Sequence, residues 1–110
     1  MKSTSVVRTV KAWGVNHQLF QNDSTEVHHA TIKAGGKSSL HHHEHKSNLF
    51  YIVSGTLKVW CENGVSYTLG PHSSLVVFPD HKHQFEAVTD VELIEIYAAI
   101  PPTPNDIIRQ

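Results

Sequence analysis

The sequence predicts an all-β fold, a single small β-barrel or sandwich, and three observations carry that reading. Short runs rich in β-branched and aromatic residues recur along most of the chain. Turn-forming residues separate them at near-regular spacing, and no stretch carries the 3.6-residue apolar period of a long amphipathic helix. In chain order, residues 1–24 read as an N-terminal arm with the first strands, and residues 25–100 as the barrel core. Within that core Val27–Lys33, Leu49–Val53, Thr56–Trp60, Val65–Leu69, Ser74–Phe78, His83–Val88 and Val91–Ile100 are the expected strands. Gly35-Gly36, Ser54-Gly55, Asn63-Gly64, Gly70-Pro71, Pro79-Asp80 and Thr89-Asp90 supply the turns between them. Asn63-Gly64 is the strongest of these, because a type I′ hairpin needs positive φ at both central positions. Closure of the strands into a barrel would remove their exposed edges. Residues 101–110, with prolines at 101, 102 and 104, read as a tail wrapping the barrel.

Composition narrows the function classes. At 110 residues the chain has the size of one domain able to bury a core without disulfides. Nine Lys plus Arg against ten Asp plus Glu give a net charge of −1, so no basic face argues for nucleic acid or an anionic membrane surface. A small-molecule ligand is the expected partner. The single Cys61 cannot form an internal disulfide, and neither a secretory signal nor an apolar span of about 18 residues is visible, so the cytoplasm is the expected location. Ten histidines are the outlying count.

Those histidines concentrate where chemistry is expected. His41 and His43 are two apart, and on a strand both rings point to one face while Leu40 and His42 point away. His83 opens a later strand and offers a third imidazole. Neutral imidazoles suit Zn, Fe, Ni and Cu. The alternatives are an exposed polar cluster for His41 and His43, and a locally hydrogen-bonded histidine at the barrel mouth for His83. His45 reads as solvated or supporting, and as a substitute fourth ligand if its strand kinks. His28 shares parity with Ala30 and Ile32 and so either faces the cavity or sits on an exposed edge. Glu95 could point inward, although acidic residues alternating on a strand more often mark its solvated face. Trp60, Tyr67, Phe50, Phe78 and Phe85 read as core, with Phe50 or Phe85 near the cavity.

The residues resemble the cupin superfamily over most of the chain. Gly35, His41, His43, Asn48 and Gly55 reproduce the spacing of the first cupin motif, with Asn48 where the family usually has Glu. Gly70, Pro79 and His83 look like a shortened second motif. A closer resemblance is to the C-terminal cupin domain of the type II mannose-6-phosphate isomerases. Lys11-Ala12-Trp13-Gly14, Ile32-Lys33-Ala34-Gly35-Gly36, Val53-Ser54-Gly55-Thr56, Glu92-Leu93-Ile94-Glu95-Ile96 and Asn105-Asp106-Ile107-Ile108-Arg109 carry it. No nucleotidyltransferase half is present in these residues.

The resemblance implies a jelly-roll barrel and a divalent metal, Zn, Fe, Ni, Mn or Cu, at His41, His43, His83 and Asn48. It also implies Arg109 as a phosphate contact, with Lys46 and Lys82 as weaker candidates, and a homodimer with chain ends packed across the interface. Asn in place of Glu removes an anionic ligand and shifts preference from harder ions such as Mn toward softer ones. Three functions fit: a metal-dependent cupin that binds or transforms a small polar ligand such as a sugar phosphate, a three-histidine iron dioxygenase, and a non-catalytic module that senses or stores a ligand.

Overall fold

A computed structural model describes residues 5–99, apart from the side chain of Asn63. Its strands are β1 (Val7–Lys11), β2 (Gly14–Gln21), β3 (Thr25–Ile32), β4 (Lys46–Ser54), β5 (Leu57–Cys61), β6 (Ser66–Leu69), β7 (Ser74–Val77), β8 (His83–Ala87) and β9 (Val91–Ala99). They form two antiparallel sheets, one in the order β1-β2-β3-β9-β4-β7 and the other β6-β5-β8. The all-β expectation holds; among the described residues the only helical turn is a 3-10 turn at Glu62–Gly64, and none is long and apolar enough to cross a membrane.

Strict alternation explains which residues face in. Ala30 and Ile32 on β3, Phe50 and Ile52 on β4, Leu57 and Val59 on β5, Phe85 and Ala87 on β8, and Val91 and Leu93 on β9 make the core between the sheets. Register places Ala30 opposite Leu93 and Ile52 opposite Leu93, so one apolar layer crosses three strands. The same inward faces change character along their length. Moving away from that layer, β3 presents His28 and Glu26, β4 presents Asn48 and Lys46, β9 presents Glu95 and Tyr97, and β8 begins at His83. One end of the sandwich is therefore hydrocarbon and the other is polar, which is where a site can be built.

The two sheets pack face to face as the expected small jelly-roll barrel. The edge of β8 is met by the segment before β4, through isolated bridges Lys37 to Glu86 and His41 to His83. The Asn63-Gly64 turn is not the expected two-residue type I′ loop. Cys61 N–H donates to the Val65 carbonyl at 2.7 Å across a three-residue loop whose last residue, Gly64, has φ +82°. A 3-10 turn ending in a left-handed glycine is the three-residue alternative, and it needs positive φ only at the glycine. Three aromatics expected in the core face outward. Trp60 has opposite parity to Leu57 and Val59 and is half-buried beneath Lys37 and Lys58. Tyr67 is exposed on the short edge strand β6, and Phe78 lies one residue past the end of β7 and is 64% exposed.

Gly55 joins β4 to β5 at φ +87°, where a Cβ would be driven into the Asp90 carbonyl. Both the backbone conformation and the close approach demand glycine. Gly55→Ala is expected to cost on the order of 3 kcal/mol, read as a shift in the urea unfolding midpoint. A midpoint within about 0.5 kcal/mol of wild type would show that the turn can relax.

Candidate metal centre

The histidine cluster is positioned by a backbone device. His41 N–H donates to the His83 carbonyl at 3.0 Å and His83 N–H donates to the His41 carbonyl at 2.8 Å. This reciprocal pair locks the two residues side by side, with ring centroids 4.4 Å apart. His41 and His43 are not on a regular strand as expected, because only His41 finds a strand partner and β4 begins at Lys46. Their extended backbone still alternates: His41 and His43 are half-buried, while His42 and Glu44 are exposed. One ring nitrogen from each of His41, His43 and His83 lies within 4.8 Å of the others. Two ligands of one ion at about 2.1 Å stand at most about 4.2 Å apart, so small ring movements let all three share a cation.

Tautomers are set by the outer hydrogen bonds. His41 Nδ1 donates to the Ser39 carbonyl at 2.8 Å, and His83 Nδ1 donates to the His81 carbonyl at 3.0 Å. In each ring the lone pair is left on Nε2, as in metal-ligating histidines. Burial pushes the pKa of both His43 and His83 below its ordinary value, and the neighbouring imidazoles push the same way. The rings are thus neutral at neutral pH and available as ligands.

Three buried polar atoms here have no partner in the protein: His43 Nε2, His83 Nε2 and Asn48 Oδ1. Leaving a buried polar atom unsatisfied costs about 1–3 kcal/mol each, so three such atoms suit a site that a ligand completes. Asn48 Oδ1 and His83 Nε2 carry free lone pairs, and His43 Nε2 offers one in its Nδ1–H tautomer, the chemistry a divalent cation requires. Asn48 is 1% exposed, and its Nδ2 donates to Glu95 Oε2 at 2.9 Å. Its inward neighbours frame the histidines: Tyr97, its register partner, packs 5.1 Å from the His43 ring, and Phe50 packs 6.2 Å from the His83 ring.

The cluster opens into a cavity of about 400 Å³ whose wall includes His41, His43, Trp13, Phe85, Ser38, Ser39, Lys11, Asn16, Glu26, His28, Lys46, Glu95 and Tyr97. Opposite the imidazoles runs a polar chain. Lys46 Nζ donates to Glu26 Oε2 at 2.9 Å, and the other Glu26 oxygen accepts from His28 Nε2 at 3.0 Å. His28 Nδ1 in turn accepts from Asn16 Nδ2 at 2.9 Å. The Lys46 bond holds the Glu26 carboxyl below its ordinary range despite partial burial. Burial raises Glu95 to about 7, against the hydrogen bonds from Tyr97 and Asn48. The Tyr97 phenol is itself pushed far upward by burial and by the Glu95 charge, so it stays protonated as a donor.

The structure therefore brings together His41, His43 and His83, buries Asn48 with its oxygen unpartnered, and places His28 in the cavity wall. His45 is exposed and is not part of that wall, because the chain turns outward at Glu44 and His45 before entering β4. Arg109 lies outside the described residues, and Lys82 is exposed and away from the wall. Glu26, Asn16 and Tyr97 were not anticipated from the sequence, and Glu95 lies on the cavity side rather than the solvated one. Strand parity could have found three of them: Glu26 is in phase with His28 and Ile32, and Glu95 and Tyr97 with Val91 and Leu93.

Comparison with known proteins bears on the fold and the family. A Cupin domain model matches residues 28–97, from the buried His28 to the end of the polar face of β9. The chain is 30% identical over 101 residues to a putative mannose-1-phosphate guanylyltransferase of Vibrio cholerae serotype O1, covering 90% of this chain and 22% of that one. It is 26% identical over 100 residues to the alginate biosynthesis protein AlgA of Pseudomonas putida, covering 90% of this chain and 21% of that one. The chain thus spans about a fifth of the length of these curated relatives. Among solved structures, an RmlC-like cupin from Shewanella frigidimarina superposes with a TM-score of 0.76 at 23% identity, covering 96% of this chain and 89% of that one. KdgF from Halomonas sp. gives 0.76 at 18% identity, covering 96% and 94%. Two packed antiparallel sheets, a polar end with clustered imidazoles and a family match over residues 28–97 lead to one conclusion: the chain belongs to the cupin family.

Proposed function

We propose that this cupin holds a divalent transition metal on His41, His43 and His83 and uses it, with the polar wall of the cavity, to bind a small anionic polyol of the sugar phosphate class. The observation that carries the reading is the convergence of three imidazoles, with buried, unpartnered Nε2 atoms on His43 and His83. An imidazole-rich donor set favours zinc, iron, nickel or copper over harder ions.

Charge supports the ligand class. Lys11 and Lys46 outnumber the anionic Glu26 in the wall, so a bound dication leaves the cavity positive whether or not Glu95 is ionised. A positive, hydrogen-bonding cavity with Trp13 and Phe85 in its wall suits an anion bearing hydroxyl groups. The mannose-1-phosphate guanylyltransferase name of the Vibrio relative points to the same chemistry. When bound, the metal would polarise a ligand carbonyl or hydroxyl oxygen. The protein's own part is to orient the ligand between Lys46 and His28.

Titration calorimetry with mannose 6-phosphate tests this. The metal-loaded protein is expected to bind, and the chelated protein to bind at least tenfold more weakly. Lys46→Met removes the charge and keeps the stem, and is expected to weaken binding of the phosphorylated sugar about tenfold while leaving the affinity for mannose unchanged. Equal affinity with and without metal, or protein that retains none of the candidate metals after refilling, would count against the proposal.

A further inference from the structure

We infer that Glu95 is a positioning residue for the metal: through its bond to Asn48 Nδ2 it holds the amide so that Asn48 Oδ1 becomes the fourth ligand beside the three imidazoles. This rests on the metal-binding reading above and assigns a role to a residue that reading does not use.

The argument begins with an ambiguity of asparagine. Its amide can present either nitrogen or oxygen to a given neighbour, and only the oxygen can ligate a cation. Here the nitrogen faces Glu95: Asn48 Nδ2 donates to Glu95 Oε2 at 2.9 Å. That bond forces Oδ1 to the opposite side, where it is buried and without any partner in the protein. Tyr97, two residues along β9, shares that inward face with Glu95. Tyr97 packs edge-on against His43, so the chain Tyr97, Glu95, Asn48 closes onto the ring it serves.

Backbone geometry makes the arrangement hard to avoid. Asn48 sits opposite Tyr97 across the β4–β9 pair, and Phe50, two residues on, sits opposite Glu95. Glu95 is therefore a diagonal neighbour of Asn48 on the same inward face, within reach of a long side chain. Where the usual cupin motif puts a glutamate in the ligand shell, this chain has a neutral amide there and a carboxylate directly behind it. The negative charge is moved one residue outward, and the first shell keeps an oxygen.

Metal affinity in a double-mutant cycle separates a role through Asn48 from a general structural one. Zinc affinity is measured by chelator competition, and the ligand field is read from the visible spectrum of the cobalt-substituted protein. Glu95→Ala and Asn48→Ala are each expected to weaken zinc binding about 10- to 100-fold and to alter the cobalt spectrum in the same way. The double variant is expected to lose no more than Asn48→Ala alone, because Glu95 acts only through that amide. Glu95→Gln keeps an acceptor for Asn48 and is expected to recover most of the affinity; it also serves if Glu95→Ala does not fold. Losses that add in the double variant overturn the inference, as does a Glu95→Gln protein as weak as Asn48→Ala. If Asn48→Ala weakens binding and both Glu95 variants match wild type, the role of Glu95 is overturned and the metal site stands. If wild type itself binds no metal, the metal reading and this inference fall together.

Discussion

His43→Ala weakens metal binding about 100- to 1000-fold and leaves the barrel folded: that is the first expected result, and its size follows from the site. Zinc sites with four protein ligands bind with roughly 10–16 kcal/mol in total, about 3 kcal/mol per ligand, so losing one imidazole weakens affinity about 100- to 1000-fold. His43 is the better probe of the cluster because His83 is 1% exposed and its removal would open a hole in the core. Without metal, His43 is a net burden: burial depresses its pKa and its Nε2 has no partner. Its truncation should therefore change the stability of the chelated protein by no more than about 1 kcal/mol. Metal at a hundred times its Kd should stabilise wild type by about 2.7 kcal/mol and leave the variant unmoved. His45→Ala, at an exposed position, serves as the control and is expected to keep affinity within about twofold. Elemental analysis after dialysis, chelator competition and thermal unfolding with and without metal read these outcomes. Wild-type metal affinity in His43→Ala would remove the three-imidazole centre.

Much of this centre was legible in the sequence because it rests on short-range geometry. The spacing of His41 and His43 fixes their common side in any extended backbone, and turn residues fix where strands end. His83 was legible as the start of a later strand. The reciprocal bridge that seats it against His41 was not, since it joins residues 42 positions apart through main-chain atoms that any side chains would supply. The same limit applies to Glu95 and Tyr97. Alternation put them on one face of β9 with Val91 and Leu93, but a carboxylate in phase with a core is normally evidence for the opposite assignment. Only the pairing of β9 with both β3 and β4 shows that its far end leaves the hydrocarbon layer and enters a polar one. The first strands were expected within residues 1–24 but without bounds, because β2, with Asn16, His17 and Gln18 in its middle, lacks the β-branched density of the others.

The metal-free protein also carries a specific dependence on pH, in which two sets of groups act in opposite directions. Burial raises Glu95 from 4.5 to about 7 in the folded state, so between those values the folded chain binds a proton that the unfolded chain has released. Stability follows the difference in protons bound, unfolded minus folded, and that difference is negative here; Glu95 therefore makes stability fall as pH rises from about 4.5 through 7. The full penalty is present above pH 7, and for a half-buried group it amounts to about 2–3 kcal/mol. His43 and His83 behave oppositely. Their folded pKa values lie below 6.5, so as pH drops the unfolded chain takes up protons first and stability falls toward acid. In wild type the two trends offset one another between about pH 4.5 and 6.5, and the profile is flattened. Glu95→Gln removes one of them. Measured by urea unfolding with a chelator present, the variant should track wild type near pH 4.5, gain on it steadily up to pH 7, and stay about 2–3 kcal/mol more stable from pH 7 to 8.5. A constant gap across that range would mean that Glu95 titrates at its ordinary value and is solvated in the free protein. A gap that opens on schedule would establish that the carboxylate behind Asn48 is held at a cost of stability, as expected of a group kept for its position beside a ligand.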